Sequence, residues 1–298
     1  MRYLHPILIA LALVASGYTF AQKPTEQEEL ALAAMEGLMA QPPERAMPII
    51  KKVLSGPQST LIKKRALFVL SQIDTPEANE ILLQTSRSTA DEALRREAIR
   101  SIGIGGNDKS LAGLLEVYKA GNDDVKAQVL EAWMIAGRKE EVYQAALNAK
   151  SEDESSKAIH MLSVMGAVDE LRKLGDRPNA SDKLVEAYAI SGDLQSLRKI
   201  AASNAEPEVR AEAVQKIGII SNDAARAALH DIYTRSTERE IKDAALQGLL
   251  IADDEKGVLA LYRAATTPEE KKILLRTLTM MDGDAALEAI DAVLEGKQ

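Results

Sequence analysis

Histidine and cysteine, the residues that most often bind metals or act in catalysis, are rare in this chain of 298 residues. It has no cysteine, which excludes disulfides and thiolate ligands, and one of its three histidines, His5, lies in an N-terminal apolar stretch. His160 and His230 are 70 positions apart, and neither belongs to a motif with the fixed spacing of metal ligands. We therefore predict no metal site and no cofactor, and assign both histidines to the core edge or the surface.

Motifs for nucleophilic catalysis and phosphate binding are also missing from the sequence. It contains neither G-x-S-x-G nor G-x-x-x-x-G-K-[ST], and the glycines of residues 103–106 end a predicted helix rather than follow a strand. Two carboxylate pairs, at 123–124 and 253–254, fall in predicted turns, where helix capping explains them better than acid–base catalysis. We predict no catalytic residue, and expect a protein that is not an enzyme.

The apolar residues follow a repeat of about 30 residues. Its clearest copy, Arg210-Ala-Glu-Ala213-Val214-Gln-Lys-Ile217-Gly218, has a cation, an Ala-aliphatic pair and an aliphatic-small pair. The first residue of the Ala-aliphatic pair is called the anchor here. Anchors stand at positions 34, 66, 98, 129, 158, 184, 213, 245 and 274, at spacings between 26 and 32. Nine phased copies over most of the chain indicate a repeat protein.

Each copy predicts two helices joined by a turn. The apolar positions i, i+1 and i+4 place one stripe on the core side of a helix. Thr267 before a proline predicts a helix start, and Thr237-x-x-Glu240 and Ser151-x-x-Glu154 fit the capping box. Composition agrees, because Ala and Leu are strong helix formers and aromatic residues are only 3% of the chain. The sequence thus predicts an all-α fold, an α-α superhelix of about nine helix-turn-helix repeats.

The copy Val209-Arg210-x-x-Ala213-Val214-x-x-Ile217-Gly218 with Asn222-Asp223 resembles the HEAT-like repeat family, in the short form also seen in phycobilisome lyases. The resemblance covers roughly residues 26–296 and implies a HEAT-like solenoid whose second helices line a concave face. The middle copies depart from the pattern: Ser155 and Ser181 replace the cation, and one interval is only 26 residues. We expect a bend or a gap in the stack over residues 150–200.

A cation stands three residues before the anchor in six copies. These cations are Lys63, Arg95, Lys126, Arg210, Lys242 and Lys271. We interpret them as a ladder that pairs with nearby acids or turn carbonyls and supports the stack. The alternative is a row of cations that faces an acidic partner.

Three of the seven tyrosines stand near the ends of predicted second helices: Tyr118, Tyr233 and Tyr262. On the concave face that the resemblance implies, tyrosine would offer a large amphipathic contact at low entropic cost. We name these three as candidate partner-binding residues. The alternative is that each ring packs over the neighbouring repeat with its hydroxyl at the surface. Trp133 occupies a core-stripe position, so we expect it to be buried.

Residues 1–21 have the layout of a secretory signal peptide: a cationic start, an apolar run and small residues before Gln22. The expected domains are a signal peptide, 1–21, and a repeat solenoid, 22–298, with cleavage between Ala21 and Gln22. An uncleaved anchor is the alternative. The expected location is periplasmic or secreted, with no stable membrane span after cleavage. The net charge of −8 becomes −9 without Arg2, which disfavours nucleic acid as a partner.

The leading functional hypothesis is an exported scaffold that binds a protein or peptide partner on its concave face, because helical repeats build long binding surfaces. The runner-up is a sensor or regulatory module of an envelope signalling or protease system. A third class is a bilin-lyase-like enzyme. It rests on the resemblance alone, and export argues against it because phycobilisome lyases act inside the cell.

Overall fold

A computed structural model describes residues 23–176, 182–281 and 283–295. Within them the chain forms eighteen α-helices in nine consecutive pairs, and no strand. The first nine helices are α1 (Glu26–Leu38), α2 (Pro43–Ser55), α3 (Thr60–Ser71), α4 (Pro76–Arg87), α5 (Glu92–Gly105), α6 (Asp108–Ala120), α7 (Asp123–Ile135), α8 (Lys139–Leu147) and α9 (Glu152–Val164). The others are α10 (Val168–Gly175), α11 (Val185–Ser191), α12 (Leu194–Ala201), α13 (Pro207–Ile220), α14 (Asp223–Arg235), α15 (Arg239–Ile251), α16 (Glu255–Ala264), α17 (Pro268–Leu278) and α18 (Asp284–Leu294). The predicted all-α class is confirmed.

The helices group into two compact units, the first ending at Gly113 and the second beginning at Leu114, within α6. In the first unit α1 packs on α3 and α3 on α5, while α4 covers both α3 and α5. In the second unit α7, α9, α11, α13 and α15 pack successively on one another. Each odd-numbered helix is therefore the first helix of a repeat, and within the two series α1 to α5 and α7 to α15 it contacts the equivalent helix of the next repeat.

The core follows the repeat phase. The anchor is buried in every copy from the second to the ninth, and so is the residue four positions later, as in Ala213 with Ile217. Trp133 is also buried, as expected from its place in the stripe. The first copy differs by one residue, because Met35 and Leu38 are buried there while Ala34 is exposed. A strict stripe at 3.6-residue spacing thus forms the contact between successive first helices.

The predicted caps have three different outcomes. Thr267 is the N-cap of α17, where its side chain accepts from the Glu270 amide, as predicted. Ser151 caps α9, but Glu154 does not turn back to close the box and bonds elsewhere. The box at Thr237 is wrong: α15 begins one residue later with Glu238 as N-cap, and the Glu238 carboxylate is bonded to Arg210. A longer-range ion pair replaces the local cap there.

Small residues set two close approaches between first helices. A Cβ added to Gly218 in α13 would collide with the Gly248 carbonyl of α15, and one on Gly105 would collide with the Ser71 carbonyl.

Over the described residues, no helix has the length and apolarity needed to cross a membrane. The candidate signal peptide, residues 1–21, lies outside the described residues, as does Ser181.

Candidate interaction surface

Tyr118, near the end of α6, lies in the core of the second unit and is 7% exposed. Its ring packs against Trp133 with centroids 5.4 Å apart, and its hydroxyl donates to Glu154 Oε1 at 2.7 Å. Burial, with the hydrogen bond to the Glu154 carboxylate, raises the pKa of Tyr118 well above its ordinary value. The side chain therefore links one repeat to the next in its neutral, hydrogen-bonded form.

Tyr233, near the end of α14, has a similar arrangement 115 residues later in the chain. It is 4% exposed, and its hydroxyl donates to Glu270 Oε1 at 3.1 Å. The ammonium of Lys242 lies 4.4 Å from its ring centroid and 2.8 Å from the same carboxylate oxygen. Burial and the negative charge of Glu270 raise the pKa of Tyr233.

Tyr262 in α16 is half-buried, and it is the most accessible of the three candidate tyrosines. A partner cannot reach Tyr118 or Tyr233 without opening the contact between repeats, because both rings and both hydroxyls are already engaged. Their packing over a neighbouring repeat matches the alternative interpretation, except that each hydroxyl is bound to a glutamate instead of lying at the surface. Partner binding through these tyrosines stays a prediction. Of the three, Tyr262 is the one whose side chain a partner can reach in the folded protein.

The cation ladder exists in three copies with constant spacing. Lys126, Arg210 and Lys242 each pair with a glutamate 28 residues later, at 3.0, 2.9 and 2.8 Å respectively. The three cationic side chains are largely buried. Lys63, Arg95 and Lys271 form no ion pair with another described residue. Where the ladder is formed, it joins successive repeats and does not present cations to a partner.

Glu154 and Glu270 are the acidic ends of two of these rungs. Burial disfavours ionisation of Glu154, but bonds from Tyr118, the Lys150 amide and Lys126 outweigh it and lower its pKa. The hydrogen bond from Lys242 is the main reason that the pKa of Glu270 is lowered. Both carboxylates are therefore held ionised in the folded protein.

The first helices, and the turn that follows the last of them, carry a row of exposed aliphatic residues that the tyrosine hypothesis does not include. Each stands six residues after the anchor of its repeat, and each is between 37% and 71% exposed. We call this set the aliphatic row: Ile135, Val164, Ile190, Ile219, Ile251 and Met280. A helix end exposed to solvent normally carries polar side chains. An exposed aliphatic side chain at the same position of six successive repeats therefore marks one surface.

The row is continuous along the second unit because its helices are stacked. Five of its members lie on α7, α9, α11, α13 and α15, which pack successively on one another. Neighbouring packed helices are about 8–10 Å apart, so the row places an aliphatic side chain at about that interval. The spacing suits a partner that lies across several repeats.

The sequence contained the signal for this row. When the copies are aligned on their anchors, position six is Ile, Val or Met in the last six copies, and Ile104 in the copy before them. We did not select it because an apolar residue at a helix end is usually read as part of the core stripe. Only the exposure of each side chain in the folded protein distinguishes the aliphatic row from the core stripe.

The short middle copies form a polar cleft. Arg172 donates from Nε and Nη2 to the two Asp193 oxygens at 2.8 and 2.7 Å, and Ser196 Oγ donates to Asp193 at 2.6 Å. Burial opposes ionisation of Asp193, but the bonds from Arg172 and Ser196 lower its pKa below the ordinary value. The carboxylate is therefore a structural ion, held by a bidentate pair.

A cleft of about 270 Å³ opens beside this pair, with Arg172, Tyr188 and Lys199 in its walls. It lies between α10 and α12, two helices of only eight residues each. The first helices α9, α11 and α13 stay in contact beside this cleft, so the expected bend or gap over residues 150–200 stays a prediction.

The two candidate histidines occupy separate places. His160 is exposed on α9, and His230 Nε2 lies 3.4 Å from Asp254 Oδ2. Asp254 also caps α16 by accepting from the Gly257 amide, as expected for a turn carboxylate. Within the described ranges, no three His, Asp or Glu side chains are grouped as metal ligands would be.

The comparisons with known proteins agree on the repeat. A family model described as HEAT repeats matches residues 47–134, which confirms the resemblance over that range. No curated protein matches the chain.

Several solved structures are similar at low identity. Human deoxyhypusine hydroxylase in complex with glycerol is 17% identical over 76% of this chain and 99% of that chain, with a TM-score of 0.33. The complex of CpcE and CpcF of phycocyanin lyase from Nostoc is 18% identical over 89% and 98%, with a TM-score of 0.34. A computationally designed self-assembling cyclic homooligomer is 15% identical over 91% and 100%, with a TM-score of 0.15. At these values the matches concern fold alone.

The expectation that this chain is not an enzyme is contradicted. The similar structures include a hydroxylase and a lyase, so helical repeats without a recognised motif do not exclude catalysis. The inference failed because it treated missing motifs as missing activity, whereas function belongs to sites grafted on a fold.

Proposed function

Residues 47–134 carry HEAT repeats, and on that premise we propose that this protein is an exported interaction scaffold for a protein or peptide partner. The aliphatic row carries the proposal. It is apolar, exposed and repeated at one position of successive helices, which is what a binding surface on a repeat array requires. This row lies on the first helices, which supports binding of the partner there.

Export is the second part of the proposal and rests on residues 1–21. Their cationic start, apolar run and small residues before Gln22 support secretion. The net charge of −8 supports a protein or peptide partner over nucleic acid, since an acidic chain repels phosphate.

Crosslinking and mass spectrometry on the native cell envelope test whether the aliphatic row binds the partner. The double variant Ile219→Ser/Ile251→Ser removes two adjacent members of the row, and Leu30→Ser is the matched control because Leu30 is exposed outside it. We expect the double variant to lose at least about tenfold in partner recovery, the effect of two interface aliphatic residues. Helical content should be unchanged, because both isoleucines are exposed.

Two outcomes would contradict this assignment. One is equal recovery of the partner by wild type and the double variant, and the other is an equal loss in Leu30→Ser. Tyr262→Ala in the same experiment tests the tyrosine hypothesis separately, with reduced recovery expected if that half-buried ring contacts the partner.

A further inference from the structure

The groove between α13 and α15 is an acidic concave surface next to the aliphatic row. It has a volume of about 550 Å³. Residues of α13 form one wall and residues of α15 form the other. The polar side chains that line it are Glu208, Glu212, Gln215, Arg239, Glu240, Asp243 and Gln247.

Carboxylates outnumber cations in this groove by four to one. Its only cation, Arg239, lies 3.7 Å from Asp243, so that pair neutralises itself. Glu208 and Glu212 form no ion pair with any described residue. The described lining residues therefore have a formal charge of −3, and the charge of Glu240 is partly offset by Arg210 outside the groove.

One end of the groove adjoins the aliphatic row. Gln215 and Gln247 each line the groove, and Ile219 and Ile251 follow them by four residues on the same helices. Residues at i and i+4 are neighbours on a helix surface, so the isoleucines stand one turn beyond the glutamines. The surface thus changes along its length from carboxylates to exposed aliphatic side chains.

We propose that this groove binds a cationic segment of the partner polypeptide, with Lys or Arg side chains on the carboxylates and an apolar side chain between Ile219 and Ile251. The proposal rests on the interaction function proposed above and adds the chemistry of the partner. Charge complementarity is the reason for this choice, because opposite charges steer association and suppress wrong partners. A second copy of the chain, with its net charge of −8, would be repelled by the same carboxylates.

Fluorescence anisotropy with two labelled amphipathic peptides tests the proposal. One peptide combines leucine and lysine at helical spacing, and the other has glutamate in place of every lysine. We expect the lysine peptide alone to bind, and its affinity to fall when salt is raised from about 0.05 M to about 0.3 M.

Two matched charge variants locate the binding. Glu208→Gln/Glu240→Gln removes two groove carboxylates, and Glu26→Gln/Glu29→Gln removes two exposed carboxylates of α1 that do not line the groove. We expect the groove variant to bind the lysine peptide about 3- to 10-fold more weakly, because it loses two partly screened charge contacts. The α1 variant should bind the peptide as wild type does.

Three results would overturn the inference: binding of the glutamate peptide with similar affinity, no change in the groove variant, or an equal loss in both charge variants. The envelope crosslinking experiment separates this inference from the scaffold function. If Ile219→Ser/Ile251→Ser loses the partner while Glu208→Gln/Glu240→Gln keeps it, the scaffold stands and the cationic ligand does not. Circular dichroism confirms that each variant retains its helices.

Discussion

At the scale of single residues, a tyrosine, a lysine and a glutamate recur together in two places. Tyr118 and Lys126 meet at Glu154, and in a later pair of repeats Tyr233 and Lys242 meet at Glu270. In both, the glutamate takes a hydrogen bond from the tyrosine and an ion pair from the lysine. A carboxylate removed from water in this way needs its donors, since an unsatisfied buried acceptor is destabilising.

Removing the Tyr118 hydroxyl is therefore expected to destabilise the second unit. Tyr118→Phe keeps the ring contact with Trp133 but leaves Glu154 without one donor, which costs about 1–3 kcal/mol. Urea denaturation followed by circular dichroism measures the change. Tyr262→Phe is the control, because its half-buried side chain should tolerate the loss within about 0.5 kcal/mol. Equal midpoints for Tyr118→Phe and wild type would show that the bond to Glu154 contributes nothing.

The pH dependence of stability follows from the same carboxylates. The pKa values of Glu154 and Glu270 are lowered in the folded state, so their contribution to stability is fully present above the ordinary pKa of 4.5. It is lost as the pH falls through the lowered values, because the unfolded chain takes up protons first. We expect the free energy of unfolding to decrease as the pH falls below 4.5.

Glu270→Gln supplies the comparison for this titration. The variant lacks the ionisable group, so its stability should fall less steeply over the same acid range while being lower at neutral pH. Urea denaturation at a series of pH values measures both quantities. An identical acid slope in the variant and wild type would contradict the role of Glu270.

At the scale of the elements, the distance between first helices depends on small residues. Gly218 in α13 lies against the Gly248 backbone of α15, where no Cβ can be accommodated without a shift. Such close approaches explain why the motif ends in an aliphatic-small pair. The absence of a side chain at the glycine contributes to the packing of these helices as much as the aliphatic side chain beside it does.

We expect Gly218→Ala to destabilise the protein by about 1–3 kcal/mol through overpacking against α15. Gly37→Ala in α1 is a matched change with nothing within 4 Å of the new Cβ, and should leave stability unchanged or raise it by up to about 1 kcal/mol. Thermal unfolding by calorimetry distinguishes them. Similar melting temperatures for the two variants would show that α13 and α15 can separate freely.

At the scale of the whole molecule, the proposed export implies that the mature protein is shorter than its precursor. We expect signal cleavage to leave a mature protein that begins at Gln22, since Ala21 supplies the small residue that the peptidase requires. Intact mass and N-terminal sequencing of the protein from the envelope fraction measure this. Ala21→Leu should accumulate the longer precursor, and recovery of the full chain from wild type would favour the uncleaved anchor instead.

The phase and the class of the repeats could be predicted from the sequence, whereas the candidate surface could be predicted only in part. The anchors at 66 to 274 are buried as predicted, because amphipathic periodicity is a local property. Tyr118 and Tyr233 are candidate partner-binding residues by sequence, with packing over the neighbouring repeat as the alternative, and they lie in the core, because a tyrosine suits both an interface and a satisfied interior. Ile219 and Ile251 look like core residues by type, and only their exposure identifies them as surface.

The amino-acid sequence by itself predicted an array of about nine helix pairs, the number found in the described part of the chain, because helix periodicity, caps and small turn residues act over a few positions. The tertiary structure decided what those helices present. Residues 28 positions apart form the ladder from Lys126 to Glu154 and from Lys242 to Glu270 only when successive repeats stack. The same stacking buries Tyr118 and Tyr233 and leaves the aliphatic row exposed, since burial is set by the neighbouring repeat and not by the residue's own helix.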